Sequence, residues 1–382
     1  MSDSTLTAEF NRWQMRALVI GLIAAALSLF GAFINRAQFF HSYLFAWLFW
    51  IGLSLGALVI VMMQFLTGGM WGVAVRRLSE AAFMTLPMMA LLFLPVLFGI
   101  RQIYGWSLPN GLPAVGARHK HQYLTIPLFT ARSVLYFAVL IIIALLLRRW
   151  SATQDESDAA SRRVSALSAG GLVAYILCMN FASTDWVMSL DPQWYSTVFV
   201  VVFAAGQFLA ALALMTALLS TFSSHFSLAD AIPIKAFHDL GNMLLTFVVF
   251  WIYVSFSQFL IIWSGNLPRE ISWYLERSRG GWQWLALALM VFQFLLPFAL
   301  LLSREAKRKK ERLAVIAICI VGANILNDFW LVAPSFHPRV YVHWLDFAEF
   351  IALGGFWFAM FFSFLKQRPF LPLHSTERLL DG

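Results

Sequence analysis

The chain has 382 residues, of which 60% are hydrophobic and only 12% are charged. A soluble core does not need that balance and a bundle of membrane helices does, so the composition excludes an ordinary soluble protein. The net charge of +8 does not indicate nucleic-acid binding, because the basic residues lie between the apolar runs. Only two cysteines are present, Cys178 and Cys319, both in apolar runs, which argues against disulfides, covalent c-type haem and iron–sulfur ligation by this chain.

Ten runs of 18 or more largely apolar residues predict ten membrane-spanning helices. In chain order they cover residues 15–34, 44–66, 82–103, 126–147, 165–188, 196–221, 240–263, 282–303, 313–333 and 342–365. The N-terminal sequence MSDSTLTAEFNRWQMR lacks the charged segment, short apolar core and small-residue cleavage site of a signal peptide, so we expect no cleaved signal.

Lysine and arginine are distributed unevenly between the two sides of these spans. The side that carries both termini has 18 of the 27, and the other side has 9. This asymmetry predicts that both termini are cytoplasmic. The densest basic patch, Arg304 to Arg312, is suited to anionic lipid headgroups, although a short loop needs no role beyond setting orientation.

A weak internal repeat predicts the architecture. The third span enters as RRLSEAAFMTLP and the seventh as KAFHDLGNMLLT, which aligns Glu80 with Asp239, and the fifth and ninth spans both end on an acid, Asp185 and Asp328. We therefore expect an all-α integral membrane protein with two tandem four-helix bundles. The predicted divisions are 1–40 (tail and peripheral helix 1), 41–190 (first bundle), 191–335 (second bundle) and 336–382 (peripheral helix 10 and tail). Chance similarity between apolar segments is the alternative.

The stretch from Phe237 to Pro268 combines a polar start, one uncharged span and a Gly-Asn-Leu-Pro exit. Its span carries a ladder of uncharged polar residues, namely Thr246, Tyr253, Ser255, Ser257 and Gln258. Lipid-facing positions have no reason to hold such groups, so we expect some of them to face other helices.

Three loops on the predicted outer side are long and rich in aromatic residues. They run from Tyr104 to Thr125, from Asp185 to Trp194 and from Gly265 to Gln283. One interpretation is an ordinary interfacial belt of Trp and Tyr. The other is a docking platform for soluble partner subunits.

Ionisable residues avoid the span centres, where a charge costs about 2.5–3.5 kcal/mol. His238, Asp239 and Glu80 lie at predicted cytoplasmic ends, and six others lie near the outer ends: Arg132, Asp185, Asp328, His343, Asp346 and Glu349. His343, Asp346 and Glu349 fall three apart on one helical face, which suits proton exchange with a hydrated surface. Arg132 either pairs with an acid or reaches the interface by snorkelling.

These acids are candidates for a proton path. Glu80 and Asp239 are expected in the first turns of their helices, where acids are favoured by capping and by the helix dipole. A structural role therefore explains these two acids as well as proton transfer does. Asp185 and Asp328 are expected in last turns, where a negative charge opposes the dipole, so a function is favoured. We hypothesise that Asn180, Tyr253, Ser257 and Gln258 support water between these mouths of the path.

All eight histidines lie in loops or at span ends, whereas haem b in a bundle needs paired histidines well inside spans. His119 and His121 form a lone His-x-His, which is a weak metal signal and more often a solvated loop. We therefore predict no haem, no metal and no other cofactor bound by this chain.

Three motifs resemble the NrfD/polysulfide-reductase family of integral membrane subunits, and within it those of bacterial alternative complex III, a quinol:electron-acceptor oxidoreductase. They are SFSQFLIIWSGNLPREISWYLERSRGGW (Ser255 to Trp282), STDWVMSLDPQWYSTVF (Ser183 to Phe199) and the less specific HSYLFAWLFWIGLSLGALVI (His41 to Ile60). Together with the ten-span layout, the resemblance covers nearly the whole chain.

The resemblance implies a bacterial inner-membrane subunit with two four-helix bundles and peripheral helices. It implies periplasmic partners that carry iron–sulfur clusters and c-type haems, and a paralogous membrane subunit that holds a quinol or menaquinol site. It also implies proton translocation through half-channels. A purely structural anchor and a secondary transporter are the rival functions, although the sequence indicates neither a broken helix nor a central charge, which transporters often have.

Overall fold

The computed structural model describes residues 3–109, 122–151, 158–225 and 232–368. Within these ranges the chain is helical, with no strand, and ten of its helices are long and apolar enough to cross a membrane. Each of the ten overlaps one predicted span, so the prediction of a multi-pass helical membrane protein is confirmed. Because ten is an even number of crossings, both ends of the described chain lie on the same side. We call this side the terminal face and the other side the opposite face.

The helices are labelled in chain order. They are α1 (Asp3–Ile34), α2 (Arg36–Thr67), α3 (Met70–Phe83), α4 (Leu86–Leu91), α5 (Leu94–Phe98), α6 (Ile100–Ile103), α7 (Ile126–Ser151), α8 (Asp158–Trp186), α9 (Phe199–His225), α10 (Ile234–Gly265), α11 (Pro268–Arg277), α12 (Trp282–Leu289), α13 (Leu296–Leu302), α14 (Arg304–Arg308), α15 (Lys310–Val332) and α16 (Trp344–Leu365). Short 3₁₀ turns cover Gly105–Ser107, Met188–Leu190 and Ala333–Ser335, and a π-helical segment, Met290–Leu295, joins α12 to α13.

The third and eighth crossings are not regular helices. The third runs through α3, α4 and α5, with turns before Pro87 and Pro95, because proline lacks the N–H that would continue the helical ladder. The eighth changes to the π-helical segment just before Pro297. The sequence did not indicate these interruptions. Both crossings still consist of helical segments that follow one another directly.

Helix α2 lies at the centre of the molecule. The most apolar part of α2 is entirely buried, whereas the corresponding part of α1 is only 22% buried. α2 contacts α3, α8, α9 and α16, and α9 in turn packs against α10 and α15. These contacts agree with a hub around α2 and α9, while the division into two four-helix bundles and the predicted domain boundaries stay predictions.

Helix α1 is peripheral and packs along α16. The two helices approach most closely at Gly21 and Gly355, where a Cβ on Gly21 would lie 3.1 Å from the backbone of Gly355. Small residues allow this backbone approach, which is a common way to pack helices in membranes. The expectation that the first span is attached at the edge of the bundle agrees with this contact.

Helix α10 ends on the opposite face at a sharp turn. Asn266 adopts a left-handed conformation with φ 46°, and its N–H donates to the carbonyl of Ile262. Pro268 then begins α11, because the fixed φ of proline suits the first turn of a helix. The short helix α11 buries Trp273 and Arg277 and leads back to α12.

Candidate functional site

The first group of ionisable side chains surrounds Asp185 near the end of α8. Asp185 is fully buried, and Arg132 on α7 donates to both carboxylate oxygens, from Nε at 2.9 Å and from Nη2 at 2.7 Å. The hydroxyl of Tyr136 donates to Asp185 Oδ2 at 2.8 Å. Bidentate pairing of this kind is strong and fixes geometry. The question left open by the sequence is answered, because Arg132 pairs with an acid.

Tyr123 completes this group at the edge of the membrane. The guanidinium of Arg132 lies 3.7 Å from the centre of the Tyr123 ring, and Arg132 Nη1 donates to the Tyr123 carbonyl. Burial, and then the charge of Asp185, raise the pKa of Tyr123 to about 12. The phenol is therefore neutral at physiological pH and is a hydrogen-bond donor rather than a base.

The second group surrounds Asp346 at the start of α16. Asp346 Oδ1 accepts from Ser42 on α2 at 2.5 Å, and Asp346 Oδ2 accepts from the backbone N–H of His343 at 2.8 Å. The His343 ring accepts from the N–H of Leu345, which completes a capping box. His343 and Asp346 are thus held in a helix start rather than presented freely to water.

Glu349 lies one turn further along α16 and is buried. Its carboxylate accepts from Ser28 on α1, so it connects the peripheral helix to α16. Arg132 belongs to the Asp185 group, so the predicted outer cluster of Arg132, His343, Asp346 and Glu349 forms two separate sets of contacts. Sequence position alone does not reveal this, because the partners lie on other helices.

Gln38, His41 and His337 extend the second group, and the sequence reading did not select them as site residues. His337 contacts Gln38 Oε1 at 3.1 Å, and His41 stacks on Phe336 with ring centres 3.7 Å apart. Together with Asp346 they line a cavity of about 10 Å³, which is near the smallest size that holds one water molecule. The sequence did contain one indication of this group, because Gln38 and Ser42 are four residues apart and therefore lie on one face of α2.

On the terminal face, Glu80 is buried among arginines. Arg77 donates to Glu80 at 2.8 Å, Arg76 and Arg368 approach it at 3.8 and 3.6 Å, and Ser151 on α7 donates to it. Because α3 begins at Met70, Glu80 lies in its last turns rather than its first. The helix-start explanation for Glu80 is wrong, and its arginine partners explain the burial of its charge.

His238 and Asp239 lie on the same face, in the second turn of α10 rather than the first. His238 Nδ1 lies 3.8 Å from Asp239 Oδ1 and contacts the Asn242 side chain at 3.3 Å. Asn242 Oδ1 in turn accepts from Lys307 on α14 at 2.8 Å. Both side chains are partly exposed, so this group is more open to solvent than Glu80.

The four residues predicted to support water are placed differently from one another. Gln258 is buried and donates to the hydroxyl of Tyr274 at 3.2 Å. Asn180 and Tyr253 are exposed on the outside of the helices, and the Ser257 hydroxyl donates to its own helix at the Tyr253 carbonyl. Asp328 is partly exposed on α15 next to Asn327.

Other polar side chains lie between the two faces. Ser54 and Thr85 are 2.6 Å apart, and Trp357 donates to Ser54 at 2.9 Å. Tyr175 on α8 donates to Gln207 on α9 at 3.3 Å. These uncharged residues at buried positions were not selected from sequence, because a lone Ser, Thr or Gln in an apolar run gives no indication of its partner.

Arg277 is a buried cation outside the spans. It donates to the carbonyls of Trp273, Trp330 and Leu331, and its guanidinium lies 3.7 Å from the Trp273 ring. Burial lowers the pKa of Arg277 to about 9, which keeps it charged at neutral pH. The last carbonyls of α15 carry partial negative charge and so stabilise this cation.

Within the described residues, no group of three or more His, Cys, Asp or Glu side chains is placed to hold a metal ion. His119 and His121 lie outside the described residues. The expectation that this chain binds no haem, metal or other cofactor therefore stays a prediction.

The fold and these groups define a multi-pass helical membrane protein with buried ionisable side chains near both faces. No family model matches the chain, and no curated protein matches it.

Proposed function

We propose that this chain is an NrfD-like, ActF-type membrane subunit of a bacterial alternative complex III, a quinol:cytochrome c or other electron-acceptor oxidoreductase. In this proposal it lies in the inner membrane with both termini cytoplasmic. It anchors periplasmic iron–sulfur and c-type haem subunits beside a paralogous membrane subunit. The complex uses quinol or menaquinol, and this chain alone is not catalytic.

The proposal also assigns the chain a part in proton translocation. The observation that supports it best is the pair of buried carboxylates Glu80 and Asp185, near opposite faces of the helices α2 to α8. Proton transfer needs ionisable groups at both mouths of a path and polar groups between them. Ser54, Thr85 and Gln207 supply buried polar groups between the two.

The same arrangement is proposed for the second bundle, with Asp239 and Asp328 as the two mouths and Gln258 as a buried polar residue near the Asp328 end. The faint repeat in the sequence, which aligns Glu80 with Asp239 and Asp185 with Asp328, supports two related paths. The two four-helix bundles, residues 41–190 and 191–335, are part of this proposal.

The proton role is tested by Asp185→Asn and Asp328→Asn in native membranes. We expect both variants to assemble, Asp185→Asn with lower stability because Arg132 loses its counter-charge, and the assembled complexes to release fewer protons per electron during quinol oxidation. Asp191→Asn, in the loop that follows α8, is the matched control and should keep the wild-type ratio. An unchanged ratio in both variants favours the rival function, a purely structural anchor.

The assembly role is tested separately by purifying the chain in mild detergent and identifying the proteins that accompany it. The proposal expects a second ten-helix subunit and subunits with c-type haem and iron–sulfur clusters. A chain that purifies alone and carries out solute uptake in liposomes would instead favour a secondary transporter.

A further inference from the structure

A small cavity on the terminal face is lined by three arginines from separate parts of the fold. Arg77 lies on α3, Arg148 lies in the last turn of α7, and Arg368 follows the end of α16. Glu80 is the one acid in this lining. We call this site the arginine pocket. Its side chains carry three positive charges and one negative charge, so the pocket attracts anions.

The single carboxylate pairs closely with only one of these arginines. Glu80 Oε2 accepts from Arg77 at 2.8 Å and lies 3.6 Å from Arg368 Nη1. Arg148 has no carboxylate within 4 Å among the described residues, and its Nη2 donates instead to the amide oxygen of Gln367 at 2.6 Å. A further anion beside Arg148 and Arg368 would therefore be stabilised by their charges.

The fold brings Arg148 and Arg368 together. Arg368 Nη2 donates to the backbone carbonyl of Arg148 at 3.2 Å, and the Arg148 guanidinium lies 4.6 Å from the centre of the Phe364 ring. Both arginines are only half-buried, so a ligand can reach them. A guanidinium has five N–H groups in a planar fork that matches the oxygens of a phosphate. Two such groups at one site favour a phosphate as the anion.

The arginine pocket lies at the depth of lipid headgroups. Arg148 is three residues before the end of α7, so it is roughly 5 Å from the end of that membrane-spanning helix. Arg368 is three residues beyond the end of α16. Lipid phosphates lie in this region, just outside the hydrocarbon layer. The phosphate of a neighbouring lipid can therefore reach the pocket without leaving the membrane.

The rest of the lining is apolar, and it consists of Ala81, Phe364 and Leu365 on membrane-spanning helices. The volume of the cavity is about 10 Å³, which admits one oxygen-sized group rather than a whole headgroup. A phosphate would place one oxygen in the pocket and remain outside otherwise. The glycerol and acyl chains of a lipid would continue along the helices, whereas a free phosphate ion would gain nothing from the apolar lining.

We propose that the arginine pocket binds the phosphate group of an anionic phospholipid in the leaflet of the terminal face. Arg148 and Arg368 donate to the phosphate oxygens, as basic pockets between membrane helices do for anionic headgroups. A zwitterionic lipid carries the same phosphate beside a cation, which the arginines repel. The inference does not depend on the proposed function, because it follows from the pocket and its position alone.

The test uses the full-length protein, delipidated in a neutral detergent that contains no phosphate, with three probes. Dioleoylphosphatidylglycerol is anionic, dioleoylphosphatidylcholine is zwitterionic, and glycerol 3-phosphate has the phosphate without acyl chains. Native mass spectrometry counts the bound molecules, and titration of the thermal midpoint gives the dissociation constant. We expect one phosphatidylglycerol per chain to bind roughly tenfold or more tightly than either of the other probes.

Two double variants connect binding to the pocket. Arg148→Gln/Arg368→Gln removes two charges from the pocket and should raise the dissociation constant of phosphatidylglycerol roughly tenfold or more. Arg304→Gln/Arg308→Gln removes two charges from exposed positions of α14 on the same face, so it is the matched control and should bind as the wild type. If the first double variant does not fold, Arg368→Gln alone replaces it, with an expected rise of roughly three- to tenfold.

The proposal is overturned if phosphatidylglycerol and phosphatidylcholine bind equally, or if the pocket variant binds phosphatidylglycerol as tightly as the wild type. If glycerol 3-phosphate binds as tightly as phosphatidylglycerol, the pocket takes a free phosphate ester and the assignment to a lipid is wrong. None of these measurements involves electron transfer or partner subunits, so the proposed function is judged separately.

Discussion

Arg132 and Asp185, which are 53 residues apart in sequence, form a two-point ion pair near the opposite face, with N–O distances of 2.9 and 2.7 Å. The carboxylate is fully buried and the guanidinium is largely covered. Such a pair is stable only because both charges and their hydrogen bonds are satisfied together.

Removing one partner of this pair should therefore cost more than removing both. Arg132→Leu leaves the buried Asp185 charge uncompensated, and we expect a loss of roughly 3–5 kcal/mol in unfolding free energy. The double variant Arg132→Leu/Asp185→Leu should recover much of that loss. Unfolding in detergent for the two single variants and the double variant measures the coupling, and strictly additive losses would contradict the pairing.

The contact between α1 and α16 provides a second prediction. Gly355→Ala places a methyl group against the backbone of Gly21, and overpacking of this kind typically costs about 1–3 kcal/mol. Gly322→Ala on α15 has open space around its Cβ and is the matched control. It should be neutral or stabilise by up to roughly 1 kcal/mol, because alanine favours helix. Thermal midpoints in one detergent compare the two, and equal effects would argue against close packing of α1.

The number and type of helices could be predicted from sequence because an apolar run of sufficient length has few alternatives in a membrane. The ends could not be predicted as well. The third crossing was predicted to begin at residue 82, yet α3 begins at Met70, because the Glu80 carboxylate compensates part of the charge of Arg76 and Arg77 within the helix. Charged residues lower the local hydropathy, so a prediction from hydropathy assigns this segment to a loop.

For the site residues, the sequence indicated which residue types are important but not which residues they contact. Asp185 and Arg132 were both selected, because charges near spans are rare, but their pairing depends on how α7 and α8 pack. Ser42 and Gln38 were missed, because an uncharged polar residue in an apolar helix gives no indication that it bonds Asp346. Tyr253 was selected for a polar role but is 66% exposed, because helix rotation is set by the neighbouring helices.

His337 predicts a pH dependence of stability. Burial lowers the pKa of His337 below its ordinary value. The charge of Asp346 raises this pKa and that of His343 lowers it, and both effects are smaller than that of burial. The unfolded chain then binds the proton more readily than the folded one, so the stabilisation is complete above about pH 6.5 and is lost as the pH falls below it. We expect His337→Gln to reduce the loss of thermal stability between pH 7.5 and pH 5.5. An identical slope in the variant would show that other groups cause it.

Glu80 provides the last prediction, because its carboxylate lies within 4 Å of Arg76, Arg77 and Arg368. Glu80→Gln removes the carboxylate that these three guanidinium groups share, and the expected loss is roughly 3–5 kcal/mol in unfolding free energy. Glu305→Gln removes an exposed carboxylate that also has two basic partners, so it controls for charge alone and should change stability little. Raising the salt concentration should partly restore the Glu80→Gln protein, since ions screen the repulsion among the arginines. If both variants unfold at the wild-type temperature, Glu80 is not needed to hold the terminal face together and its burial would have to serve another purpose.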